Sequence, residues 1–366
     1  MATFAYVGCR SSAWRGARGK GIQVFRFNDS GTWVPIQIIE SVQENPSWLT
    51  LDAERNRIYV LHGDGDAVAV FDRDIETGLL TLLSEQTTGQ RHTNPQLDAN
   101  RRNNPVSSTL TPGHDYLLIA NHECGNIAAL PVSENGLNAP HHFAEIPGHQ
   151  FLKNEPQTLS RPHEVVFAPS TPFFAVPTQG RPAGNGIDMI QLYRWNVDKS
   201  VLADEVQLPA GSWPRHVDFH PSGKWLYGIS ELTSTVTVFE ADVQQGTLRL
   251  IQTVNALPED YMLKSEASEI EVHPSGRFLY AANRGHNSIA IFAIDPYYGL
   301  LQLIDRVSCG GKTPRFTCLS PDATQLFCAN EDSDSIQVFD IDAETGRLAM
   351  TDTVLETASP TCICFA

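Results

Sequence analysis

The 366-residue sequence predicts an all-β fold, a seven-bladed β-propeller whose ring is closed by pairing of N-terminal strands with the C-terminal strand. Three observations predict it. A pattern of short strands separated by tight turns recurs along the chain. Its successive copies begin 59, 57, 52, 53, 47 and 46 residues apart, as expected of four-stranded blades. The last copy stops after one strand, and the first forty residues supply the strands that it lacks.

The clearest copy runs from Trp213 to Asp242. There HVDF reads as a strand, HPSGK as a turn, WLYGIS as a second strand and TVTVFEA as a third. Equivalent openings are NPSWLTLD, NPVSSTLT, RPHEVVFA, EASEIEVH, TPRFTCLS and SPTCICFA. Six of the seven openings, counting the one at Trp213, are followed by a second and a third strand, and Gly-containing turns such as ETGLLTLL and YGLLQLI lead into a fourth. A helical reading fails because Val, Ile, Thr and aromatic runs are interrupted by turn residues too often. The seventh opening, SPTCICFA, is completed by TFAYVG, GIQVFRF and VPIQIIES from the N-terminus. Closure of this kind leaves no long free sheet edge. Residues 1–366 are therefore read as one domain, although length alone would suggest two or three.

Composition narrows the partners. Hydrophobic residues make up 41% and charged residues 19%, enough for a large core. A net charge of −16 argues against nucleic acid or an anionic membrane surface as partner. The start, MATFAYVGC, lacks a basic segment followed by an apolar one, so a cytoplasmic location is expected. None of the seven cysteines forms CxxC, which points to reduced thiols, no zinc site and no cofactor. Nothing in the sequence sets the oligomeric state.

Propeller geometry converts the alignment into a site. First strands line the central channel, and the start of the first strand and the end of the second lie at one mouth. The long insertions Cys9 to Gly21, Ser84 to Asn103, Asn138 to Ser160, Gln179 to Gly186 and Asn255 to Lys264 fall on that face, the usual place for function on a rigid scaffold. One ring of residues there is Ser47, Val106, His163, Arg215, Ser268, Arg315 and Thr361. The ends of the second strands give another: Gly8, His62, Asn121, Thr178, Glu231, Asn283 with Arg284, and Asn330 with Glu331. Arginines offer a permanently charged fork for carboxylate or phosphate, while His163 and Glu231 are candidate proton carriers. Structural pairing between blades would account equally well for any single arginine. His216 and Glu269 follow the inner ring and are candidates for substrate contact or for a blade interface. His220 and His273, each in HPSG, read as turn residues. Asn121, Asn283 and Asn330 share a column, which suggests a common backbone hydrogen-bonding task. Arg15, Arg18, Lys20, Arg91, His92, Arg101 and Arg102 add positive charge near the mouth. GARGKG lacks the Ser/Thr and the helix of a P-loop.

The sequence resembles the seven-bladed lactonase family, typified by bacterial 6-phosphogluconolactonase of the propeller type and fungal 3-carboxy-cis,cis-muconate lactonizing enzyme. The resemblance rests on YVG with GIQVF, RPHEVVFAP, WPRHVDFHPSGKWLYGISEL, SEIEVHPSGRFLYAANRGHNSIAIF and TPRFTCLSP with ANEDSDSIQVF. It implies that His163, Arg215, Glu231 and Arg284 act in catalysis. Where the family often has Asp-Leu-Gly, this chain has Thr178-Gln179-Gly180. The implied activity is metal-independent hydrolysis of an anionic sugar-acid lactone; the ring geometry, not the resemblance, adds Arg315, His216, Glu269, His62 and Asn121 as candidate substrate contacts. Either His163 or Glu231 would activate water. The alternatives are a carboxymuconate cycloisomerase, which needs the same anion clamps, and a non-enzymatic protein-binding propeller. A calcium lactonase or a quinone-dependent dehydrogenase would share only the scaffold.

Overall fold

The computed structural model describes residues 3–28, 31–40, 43–89, 102–146, 160–181 and 186–366. Seven antiparallel sheets follow one another around a ring. Blade 4, Pro214–Phe219, Trp225–Ser230, Thr235–Asp242 and Thr247–Asn255, is the clearest. The openings of the repeat become the inner strands: Pro46–Asp52 in blade 1, Pro105–Leu110 in blade 2, Glu266–Val272 in blade 5 and Pro314–Leu319 in blade 6. In blade 7, Pro360–Phe365 is innermost and pairs with Phe4–Cys9, followed by Gly21–Phe27 and Trp33–Glu40. The ring closes as the sequence predicts.

Two blades depart from four plain strands. In blade 2, Gly136–Leu137 and His142–Glu145 both pair with Asn126–Ser133, so part of the expected Asn138–Ser160 insertion is strand. In blade 3 the inner strand is broken into Arg161–Pro162 and Val166–Phe167. No helix among the described residues is long and apolar enough to cross a membrane.

The core lies between blades rather than in one centre. Because side chains alternate along a strand, each sheet has two apolar faces, and each packs on a neighbour. Blade 7 illustrates this. Tyr6, Ile22 and Val24 pack on Ile58, Val60 and Ala69 of blade 1, while Ala5, Val7 and Phe25 pack on Phe327, Ile336 and Val338 of blade 6.

Polar staples complement these faces. The buried Tyr227 hydroxyl donates to the Gly299 carbonyl of the next blade at 3.0 Å, and Tyr280 does the same to Gly346 at 3.1 Å. Gly299 has φ +68°, and a Cβ there would lie 2.4 Å from the Trp225 ring, so only glycine fits the turn. His220 and His273 cap their own turns through Ser222 and Ser275 and reach the carbonyls of Gly276 and Ala323 in the following blade. Carboxylates tie the inner strands. Glu164 accepts the Val217 N–H at 2.6 Å, and Asp218 accepts the Val272 N–H at 2.7 Å.

Candidate active site

A backbone irregularity repeated around the ring aims the inner residues at the mouth. In blades 1, 2, 4, 5 and 6 the register of first and second strands slips just after the opening residue. The residues that drop out of the ladder are Ser47, Val106, Arg215, Ser268 with Glu269, and Arg315. A bulge of this kind re-aims a side chain away from the sheet faces. In blade 3, His163 occupies the break in the inner strand. The residues preceding the blade-opening prolines, Asn45, Asn104, Trp213, Thr313 and Ser359, have φ between 48° and 58°. Left-handed conformations in non-glycine residues are uncommon and gather where geometry serves function.

These residues enclose a cavity of about 340 Å³, within the range of small-ligand sites. Ser47, Val106, His163, Arg215, Arg315 and Thr361 line it, as do Glu231 and Arg284. Ser268 does not reach it, and its carbonyl instead accepts a close hydrogen bond from Arg215. The second ring requires a correction. His62, Asn121, Thr178, Asn283 and Asn330 are buried away from the cavity. Of the second ring only Glu231 and Arg284 line the cavity; in blades 1 and 2 the lining residue lies one further on, Gly63 and His122, while Gln179 and Glu331 stand behind the wall and hold Glu231 and Arg10. A one-residue step along a strand exchanges its two faces. Asn121 therefore donates to the Thr88 carbonyl and to Asn126, and Asn330 to the Cys309 carbonyl, both at blade ends. His62 meets the Glu44 carbonyl through Nδ1 at 3.2 Å. Neither His62 nor Asn121 can touch a ligand in the cavity. Glu269 does not line it either and lies behind His216, which does.

The cavity carries seven arginines (10, 15, 161, 181, 215, 284 and 315) against four carboxylates (Asp64, Glu123, Glu231 and Glu266), a surplus of three positive charges within an acidic protein. Four of these arginines escaped sequence reading as site residues. Arg15 had been placed only loosely near the mouth, and Arg10, Arg161 and Arg181 had not been singled out. Arg18, Lys20 and Arg102 do not line the cavity, and Arg91, His92 and Arg101 lie outside the described residues. A wider groove at the rim of blades 4 and 5 is open to solvent, and its Glu240 and Arg249 pair with each other. It lacks the converging groups of the central cavity.

The arginines are not equivalent. Arg10 and Arg315 share Glu331, at 2.5 and 3.6 Å. Arg15 pairs with Asp64 and Arg161 with Glu123. Arg181 lies 3.7 Å over the Trp213 ring, a cation–π contact. Arg284 grips Glu231 at 2.9 Å, and Gln179 donates to the other Glu231 oxygen at 2.8 Å. Burial alone would raise the Glu231 carboxyl, but Arg284, Arg215 and Arg181 pull it down to about 2. Arg215 differs from all of these. It is buried, has no carboxylate at ion-pair distance among the described residues, and its only described hydrogen bond is to the Ser268 carbonyl. Burial, then Arg284 and Arg315, lower it to about 9. A buried cation held between two others attracts an anion.

His163 stands beside it. Burial first, then Arg215, hold its imidazole well below the usual histidine range, so the ring is neutral. The rings of His122 and His216 flank it at 5.4 and 5.1 Å. His216 Nδ1 meets Glu269 Oε1 at 2.5 Å and lies 3.8 Å from Glu164 Oε1. Donor atoms of Glu164, His216 and Glu269 come within 4.8 Å of one another, the spacing of a small cation site. The short His216–Glu269 contact already fills that space as a hydrogen bond. In sum the cavity offers a neutral imidazole, an oriented guanidinium without a counter-ion and a positively charged wall, the parts needed to bind an anionic ester and stabilise an oxyanion.

Fold and site thus define a propeller enzyme with a cationic pocket at the channel mouth. Residues 4–365 match the family described as "Lactonase, 7-bladed beta-propeller", and the chain belongs to that family of lactone hydrolases. It is 30% identical over 283 residues to the 6-phosphogluconolactonase of Bacillus subtilis, covering 76% of this chain and 74% of the relative. It is 29% identical over 322 residues to the 6-phosphogluconolactonase of Formosa agariphila, covering 83% of each. The solved periplasmic gluconolactonase of Pseudomonas aeruginosa superposes with a TM-score of 0.83 at 28% identity, over 100% of this chain and 99% of that one.

Proposed function

We propose that the pocket hydrolyses an anionic six-membered sugar lactone, with 6-phosphoglucono-δ-lactone as the substrate. The observation that carries this reading is the buried, ion-pair-free Arg215 beside neutral His163. Arg215 would face the lactone carbonyl, where negative charge develops when water adds. His163 would take the proton from that water. The depressed carboxyl of Glu231 makes it a poor base, and its contacts suit it to fixing Arg284. The remaining cations of the wall, among them Arg10, Arg15, Arg181 and Arg315, suit the phosphate of a phosphorylated sugar acid. The names of the relatives support hydrolysis over ring closure.

The test is hydrolysis of 6-phosphoglucono-δ-lactone and glucono-δ-lactone by chelator-treated protein, above the spontaneous rate. A lower KM for the phosphorylated lactone is expected. Absence of hydrolysis of both, with loss of muconate ultraviolet absorbance instead, would replace this reading by the cycloisomerase.

A further inference from the structure

Adding water to a lactone releases a proton that the site must hold until the ring oxygen leaves. On His163 alone it would create an imidazolium beside Arg215, which buried like charges oppose. The structure offers a neutral route behind the ring. His163 Nδ1 and His216 Nε2 are both buried without a partner, on rings 5.1 Å apart. Buried polar atoms left unpaired in a native fold call for an explanation. On its far side His216 Nδ1 and Glu269 Oε1 share a hydrogen bond at 2.5 Å. Neither Glu269 nor Glu164 has an arginine or lysine at ion-pair distance among the described residues.

We propose that His163, His216 and Glu269 form a buried proton relay in which Glu269, rather than either imidazole, holds the proton between the two chemical steps. The relay rests on the lactonase reading above. In the active form Glu269 is ionised and both imidazoles carry their proton on Nδ1. As the water oxygen bonds to the lactone carbon, the carbonyl π pair moves onto the oxyanion facing Arg215. A water proton passes to His163 Nε2, the His163 Nδ1 proton to His216 Nε2, directly or through one water, and the His216 Nδ1 proton to Glu269. Two neutral imidazoles and a neutral carboxylic acid remain. When the ring C–O bond breaks, the same path runs backwards and protonates the leaving alkoxide. The product acid then gives its proton to solvent, which balances the reaction.

The surroundings favour this placement. Burial first, then Arg215, Arg315 and Arg284, oppose a charged His216. Burial, then Glu164, with a smaller contribution from Glu271, push the Glu269 carboxyl well above its ordinary range, while Arg215 pulls the other way. Once ionised, Glu269 is therefore a stronger base than an ordinary carboxylate. His216 and Glu269 are positioning residues, since His163 alone touches the reacting water.

The experiment compares Glu269→Gln, His216→Asn and His163→Asn with wild type on 6-phosphoglucono-δ-lactone across pH. The relay predicts about a 10²-fold lower kcat in Glu269→Gln with KM unchanged. It also predicts an acid limb that moves to lower pH in Glu269→Gln, because the raised carboxyl no longer has to ionise. Wild-type kcat and an unmoved acid limb in both Glu269→Gln and His216→Asn, with His163→Asn inactive, would overturn the relay and leave the lactonase standing. If the wild type hydrolyses no lactone, the lactonase reading fails first. Nitrogen NMR of wild-type protein at pH 8.5 judges the relay without substrate and without relying on a variant that folds. Nδ1–H tautomers on both His163 and His216 are expected. A cationic ring, an Nε2–H tautomer on His216, or a stoichiometric metal found by elemental analysis across Glu164, His216 and Glu269 would each overturn it.

Discussion

Replacing Arg215 by methionine should make the protein more stable and nearly inactive. Arg215 is buried, and burial together with Arg284 and Arg315 lowers it from 12.5 to about 9. The sign follows from linkage. A base whose folded value is depressed destabilises the fold at neutral pH, and stability recovers as pH rises through the folded value towards the unfolded one. A shift of that size corresponds to a ceiling of roughly 4–5 kcal/mol at pH 7. Methionine keeps the volume and removes the charge, but it also removes the charge-assisted bond to the Ser268 carbonyl, worth about 1.5–3 kcal/mol. The net expectation is a gain of about 2 kcal/mol, the sign seen when buried charges give way to packed apolar groups. Loss of an oxyanion donor should lower kcat about 10²–10³-fold. Chemical denaturation at pH 7 and initial rates on 6-phosphoglucono-δ-lactone measure the two effects. A variant that loses stability in step with activity would show that Arg215 is a structural tie between blades 4 and 5 and refute the reasoning.

Two further predictions concern the scaffold. Burial pushes the Asp218 carboxyl up to about 7. A raised carboxyl favours the fold when protonated, so wild-type stability should fall as pH rises from about 4 to 7. Asp218→Asn keeps an acceptor for the Val272 N–H and should therefore stabilise by roughly 1–4 kcal/mol at pH 8.5 and by little at pH 4, read from urea midpoints. Equal effects at both pH values would show that the carboxyl is not the source. Gly299→Ala should destabilise by about 1–3 kcal/mol through the left-handed φ and the clash with Trp225, while KM stays unchanged because the turn lies on the rim. An unaltered melting temperature would show that the turn can relax.

The strand repeat made the ring legible because every blade obeys the same alternation and turn chemistry. His163, Arg215, Glu231 and Arg284 were legible for the same reason, since the mouth of a propeller follows from strand direction. His62 and Asn121 were assigned to the wrong face because adjacent strand residues point to opposite sides, and the second ring was aligned one position early for most blades. A uniform column through Glu231 and Arg284 would have placed His122 in the cavity wall and Gln179 beside Glu231. Gln179, noted only as a departure from the family's pattern, turns out to hold Glu231. Arg10, Arg161 and Arg181 were hidden for another reason. They stand at strand ends and in loops, where direction depends on partners such as Glu331, Glu123 and Trp213 that lie far off in sequence. The bulges were equally invisible, because a register slip leaves no mark on hydrophobic periodicity.

Phe4 and Ala366 exchange backbone hydrogen bonds at 2.8 and 3.0 Å, and Thr361 stands in the pocket wall while its hydroxyl bonds the Gly8 carbonyl. The polypeptide therefore behaves as a loop with a seam, and the seam runs through the reaction chamber. Unpeeling Pro360–Phe365 would strip one panel from it and open the apolar contacts on both sides, those of Cys362 towards blade 1 and of Ile363 towards blade 6.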